Sequence, residues 1–89
     1  MRLTFPNPSR SFDASRGRVC FWGYDSSIEI SFFVEAAALK RLCPEMSDAE
    51  TGFLKAFDAV RNRIHVVADK VYARGDKRAY AHILVAEDF

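Results

Sequence analysis

Little in this chain of 89 residues interrupts or cross-links a fold: it has four glycines, three prolines and two cysteines. The glycines, Gly17, Gly23, Gly52 and Gly75, stand alone. No glycine-rich loop is therefore present to cradle a phosphate. Cys20 and Cys43 have no Cys-x-x-Cys spacing, and the two histidines, His65 and His82, form no local pair. The usual zinc-ligand pattern is absent, and the cysteines read as free thiols rather than a disulfide framework. No apolar run approaches the roughly 20 residues needed to span a bilayer. The opening MRLTFPNPSR is broken by two prolines instead of carrying a signal pattern. The expectation from these absences is a cytoplasmic domain with no membrane segment, no metal and no cofactor. A formal net charge of +1 also gives no overall pull toward a polyanion.

What is present is apolar material. Hydrophobic residues make up 49% of the chain and aromatics 13%, enough for a modest core in one domain spanning residues 1–89. The charges are segregated. Arg2, Arg10, Arg16 and Arg18 outnumber Asp13 at the start, residues 24–59 are acidic, and residues 60–80 are basic through Arg61, Arg63, Lys70, Arg74, Lys77 and Arg78. Such an arrangement makes a dipolar surface.

RVCFWGYDSSIEISFF reads as a β-hairpin over Arg18–Tyr24 and Ile28–Phe33, turning where Asp and Ser favour reversal. Ile28, Ile30 and Phe32 share one face of the second strand. In the first strand both faces are apolar, with Val19 and Phe21 on one side and Cys20, Trp22 and Tyr24 on the other. A short extended piece at Ser11–Asp13 precedes the hairpin. VEAAALKRLC carries strong helix formers and ends at Pro44. Ser47–Glu50 has capping-box form. It opens a single long helix whose seam is Phe53, Phe57, Val60, Ile64, Val67 and Val71, closed by Gly75. RAYAHILVA reads as a last strand, Arg78–Ala86. Strands at both ends with helices between them predict an α+β fold: a small antiparallel sheet, built from the hairpin plus N- and C-terminal strands, covered on one face by two helices.

FPNPSRSFD, VCFWGYDSSIEISFFVEAAALKRL, AFDAVRNRIHVVADKVYARG and the final EDF together resemble a bacterial family known only as a domain of unknown function, DUF1488. The resemblance runs over nearly the whole chain. It implies a small α+β domain and brings no catalytic residue with it.

No combination of acid, base and nucleophile is visible, so no enzyme is expected. His65 lies four residues after Arg61 and four before Asp69, about 120° from the centre of the seam. It reads as an outward member of a surface charge string. His82, on the face of Tyr80 and Leu84, reads as packing with one hydrogen bond. The candidate surface is the hairpin: Arg16, Arg18, Cys20, Trp22, Tyr24 and Phe33. If Cys20, Trp22 and Tyr24 point away from the helices, the open face carries an aromatic stripe. If they point inward, Val19 and Phe21 are outside. The first arrangement suits an interaction or accessory domain that pairs with a second copy or an unidentified protein. The alternative is a weak binder of single-stranded nucleic acid that uses Arg16, Arg18 and Trp22 together with Arg61, Arg63, Arg74 and Arg78.

Overall fold

A computed structural model describes residues 2–75, 79 and 81–89. The hairpin forms where the apolar alternation places it. Strand β2 (Arg18–Asp25) pairs antiparallel with β3 (Ile28–Glu35), joined by Ser26 and Ser27. Ser26 takes a left-handed conformation, φ 56°, as a two-residue hairpin turn demands. Strand β1 (Arg10–Asp13) lies antiparallel along the other edge of β2, reached through a turn in which Gly17 also has positive φ.

Helix α1 (Ala36–Leu42) follows β3 directly. Val34 therefore belongs to the strand rather than opening the helix, and its side chain is fully buried. Two more helices follow, α2 (Glu50–Ala59) and α3 (Arg61–Arg74). The single long helix expected from the seam is thus broken at Val60, whose amide is shared between the carbonyls of Ala56 and Phe57, both at 3.2 Å. An unbroken helix over residues 50–74 would run about 37 Å. The eight-residue strands beneath it span only about 26 Å, and the break keeps both halves over the sheet. The buried line is Phe53, Ala56 and Phe57 on α2, then Ile64, Ala68 and Tyr72 on α3. Val60 and Val71 flank it, half-buried. The capping box is displaced as well. Ser47 Oγ accepts from the Ala49 amide at 3.1 Å, and Ala49 occupies the cap position.

Strand β4 (Ala81–Leu84) lies beside β3 and parallel to it, giving the order β1-β2-β3-β4. The sheet is therefore mixed, which corrects the all-antiparallel expectation. The chain leaves β3, passes through three helices on one side and re-enters beside the same strand, a crossover that favours parallel pairing. Arg78 and Tyr80, the expected start of this strand, lie outside the described residues. A 3₁₀ turn, Ala86–Asp88, ends the chain.

The core lies between the helices and one sheet face. Val19, Phe21, Ile30, Phe32, Val34 and Leu84 supply the sheet side, and the Phe21 ring lies 5.4 Å from that of Phe32 and 5.2 Å from that of Phe57. Residues 2–5 form a strap that closes the core beyond the end of β1. Leu3 is buried, and Thr4 and Tyr24 exchange two backbone hydrogen bonds, 2.9 and 2.8 Å.

Candidate functional site

The outer sheet face is left uncovered by the helices. Register places its residues in rows. Cys20 faces Phe33, Trp22 faces Ser31, Tyr24 faces Glu29 and Arg18 faces Glu35. On the flanks, Ser11 stands beside Cys20 and Ile83 beside Phe33. Cys20, Trp22, Tyr24 and Phe33 are half-buried, and Ile83 is 48% exposed. Trp22 has the small Ser31 opposite it. The inward alternative for Trp22 and Tyr24 is thereby overturned: Val19 and Phe21 take the core.

Five of the six candidate residues share this face, and Arg16 sits exposed in the turn at its rim. Arg18 is committed. Its guanidinium lies 3.9 Å over the Phe33 ring and pairs with Asp13 at 3.3 Å, leaving the side chain 12% exposed. The Asp13 carboxyl is held below the usual carboxylate range, first by the Ser15 hydroxyl at 2.7 Å and then by Arg18. The Tyr24 hydroxyl donates to Glu29 Oε2 at 2.9 Å, and that bond raises its pKa. Burial pushes the Cys20 thiol up, so it is a poor nucleophile. Ile83 and Ser31 complete the patch. Ile83 was recoverable from alternation in the last strand, where it lies opposite in sense to His82 and Leu84.

The other basic residues are elsewhere. Arg61 donates to Asp58 at 2.7 Å and to the Pro8 carbonyl at 2.8 Å, and Arg74 pairs with Asp88. Both belong to α3, across the core from the sheet face, as does exposed Arg63. The composite surface of hairpin and helix arginines is therefore not one surface.

His65 corrects a further expectation. It is half-buried, with its ring stacked on Phe5 at 3.9 Å and 4°. Burial first, and Arg61 second, lower its pKa to about 4. Asp69 is not its partner. Asp69 Oδ1 accepts from the backbone amides of Arg2 and Leu3, each at 2.9 Å. The strap covered what a helical wheel left open, and no residue within α3 signalled it.

His82 packs between Phe32 and Tyr72, and its Nε2 is buried without a hydrogen-bond partner. The hydrogen bond expected of this side chain is therefore not made at that nitrogen. The Tyr72 hydroxyl donates to Asp25 at 2.7 Å. An open cleft of about 360 Å³ at the α2–α3 junction is lined by residues 58–63, where Asp58 is already engaged by Arg10 and Arg61. Among the described residues, no three His, Cys, Asp or Glu side chains gather in a way that could hold a metal. No helix among them is long and apolar enough to cross a membrane.

Fold and face together define a small α+β domain with a mixed four-stranded sheet, one side packed on helices and the other without a helix among the described residues. The sequence model for the family described as a protein of unknown function, DUF1488, matches residues 3–85, and the chain belongs to that family. A solved structure of a DUF1488 protein from Shewanella loihica PV-4, itself of unknown function, is similar in fold. The TM-score is 0.77 at 17% identity, over 91% of this chain and 90% of that one. No curated protein matches the chain.

Proposed function

We propose that this domain is a non-enzymatic interaction module that pairs with a second copy of itself through the bare sheet face. The observation that carries the reading is the position of Trp22, Phe33 and Ile83 on that face instead of in the core. An exposed patch of large apolar side chains is characteristic of an interface, and a central tryptophan is the usual energetic anchor. The charges suit a two-fold arrangement. Exposed Arg16 lies at one end of the β2–β3 ribbon and Glu29 at the other, so antiparallel faces about an axis near Trp22 bring the Arg16 end of each copy to the Glu29 end of the other. The geometric face, two strands of eight residues flanked by two of four, is about 380 Å², below the roughly 800 Å² per partner of a stable complex. The pairing is accordingly weak and concentration-dependent.

Single-stranded nucleic acid is less well served by this face. Arg18 is tied to Asp13 and Phe33, and the acids Asp13, Glu29 and Glu35 share the surface. Light scattering from low micromolar to millimolar protein, in 0.05 and 0.5 M salt, separates the two. The expected result is a mass that rises toward a dimer, persists in high salt and stays monomeric for Trp22→Ser. A strictly monomeric protein overturns the reading. So does binding of a labelled single strand with a log–log salt slope near −0.7 per phosphate contacted.

A further inference from the structure

We propose that the socket between β2 and α3 that holds residues 2–5 is an exchange site, able to take the same segment from a second copy of the chain. This inference is independent of the sheet-face reading. It rests on how the strap is anchored and how it is tethered.

The anchors are all distant in sequence. Asp69 Oδ1 takes the amides of Arg2 and Leu3, and Thr4 pairs its backbone with Tyr24. Leu3 fills the core to 2% exposure, and Phe5 lies on His65. The receiving surface is shaped for that ring. A Cβ on Gly23 would stand 2.7 Å from Phe5 Cε1, so a side chain at this position would displace the ring from its seat. None of these contacts requires strap and socket to belong to one chain.

The tether is short of work to do. Thr4 lies opposite Tyr24, and Arg10 lies opposite Phe21. Six residues of strap thus advance past three residues of β2, about 10 Å, where an extended segment of that length covers about 20 Å. Phe5 and Asn7 each precede a proline, which biases both toward extended backbone. Two exposed hydrogen bonds hold the excess in a bulge: Ser9 N to Asn7 Oδ1 at 3.0 Å, and Arg61 Nη1 to the Pro8 carbonyl at 2.8 Å. Extending the tether gives up those two bonds and no anchor. An open monomer would expose Leu3, Phe5 and the core beneath them. Two open chains that trade straps recover every anchor, which is the condition under which segment exchange is a low-cost route to a dimer.

The test refolds the full chain at several hundred micromolar, dilutes it and follows its mass by size exclusion with light scattering. A dimer that survives dilution for hours is expected, because release must reopen the core. Phe5→Ala should shorten its lifetime after dilution at least fivefold, because that anchor is lost from both closed forms and opening becomes easier, and Pro6→Gly with Pro8→Gly should lower the dimer fraction a few-fold, while Trp22→Ser changes neither. A chain that returns only as monomer overturns the proposal. A dimer lost in Trp22→Ser whose lifetime is unchanged in Phe5→Ala also overturns it, and supports the sheet face instead. As a second measurement, Leu3→Ala/Phe5→Ala is mixed with Gly23→Ala, one damaged in the strap and the other in the socket. A one-to-one heterodimer, or folding of the mixture where neither variant folds alone, is the expected result. Two folded monomers that ignore each other count against exchange.

Discussion

Phe21 and Trp22 are adjacent in one strand, and they meet opposite fates. Phe21 is 1% exposed beneath α2 and α3, within ring contact of Phe32 and Phe57, while Trp22 is half-buried on the face that none of the described helices covers. Both are aromatic, so side-chain hydrophobicity did not sort them. The sorting came from the partner strand. In β3 the inner residues Ile30, Phe32 and Val34 are all apolar, while Glu29, Ser31 and Glu35 interrupt the outer row. Register with β3 then committed β2, because in this pairing Trp22 and Tyr24 could turn inward only by carrying Ser31 and Glu29 into the core with them. The core needs the inner face. The outer face keeps apolar area that the fold itself does not use.

That contrast can be broken at several points. The largest effect is expected from Phe57→Asp. Phe57 is fully buried, and a carboxylate there would lose its hydration, while the nearby Arg61 guanidinium is already engaged by Asp58 and the Pro8 carbonyl. The domain should be unfolded by circular dichroism at 25 °C, and a soluble variant with unchanged melting would refute the assignment of the helical layer. Next comes the adjacent pair. Phe21→Ser should cost about 3–5 kcal/mol in denaturant unfolding, as large-to-small aromatic changes in cores do. Trp22→Ser, measured on dilute protein, should cost about 1 kcal/mol or less. Equal losses would mean that the two faces are energetically alike and would remove the basis for a free surface.

A smaller effect comes from pH. Unfolded His65 titrates near 6.5 and folded His65 near 4. Above pH 6.5 both states are neutral and its stabilising contribution is complete. As pH falls from 6.5 to 4 the unfolded chain gains a proton that the folded one does not, and stability declines; below 4 the loss is complete. With the ring half exposed, solvent screening reduces the loss to about 1–2 kcal/mol. Urea titrations at pH 7 and 4.5 should show it, and His65→Phe should flatten the slope across that window. The smallest effect is expected at Lys55 and Asn62, both exposed on the helical layer. Alanine there should shift stability by less than about 0.5 kcal/mol, and a larger change would show that this layer, too, makes an unrecognised contact.

Sequence patterns of short range were readable. The hairpin, its turn at Ser26–Ser27, a helix soon after it and the seam positions Phe53, Phe57 and Ile64 follow from alternation and helical spacing within about ten residues, whereas Val67 and Val71 give way to Ala68 and Tyr72 as the buried line of α3. Five of the six candidate surface residues do lie together because strand period alone puts Cys20, Trp22 and Tyr24 on one side. The break at Val60 was not readable. The seam continues through it in steps of four and three, and only the size of the sheet below makes a straight helix too long. Parallel pairing of β4 was hidden for a similar reason, since Ala81–Leu84 alternates identically in either direction. His65 was misjudged because a helical wheel treats every residue away from the seam as facing water.

What the sequence determined by itself is therefore local: which segments extend, which coil, and which side chains share a side of each. Hydrophobic period and turn chemistry act over a few residues and need no partner. What only the tertiary structure decided is which sides are covered. Phe5 crosses sixty residues of sequence to lie on His65, and Asp69 spends its carboxylate on the amides of Arg2 and Leu3 instead of the neighbouring charges of its own helix. Those pairings depend on segments distant in sequence meeting in space, and burial is a property of the assembled layers: Phe21 and Trp22 differ because the described helices all pack on one side of the sheet.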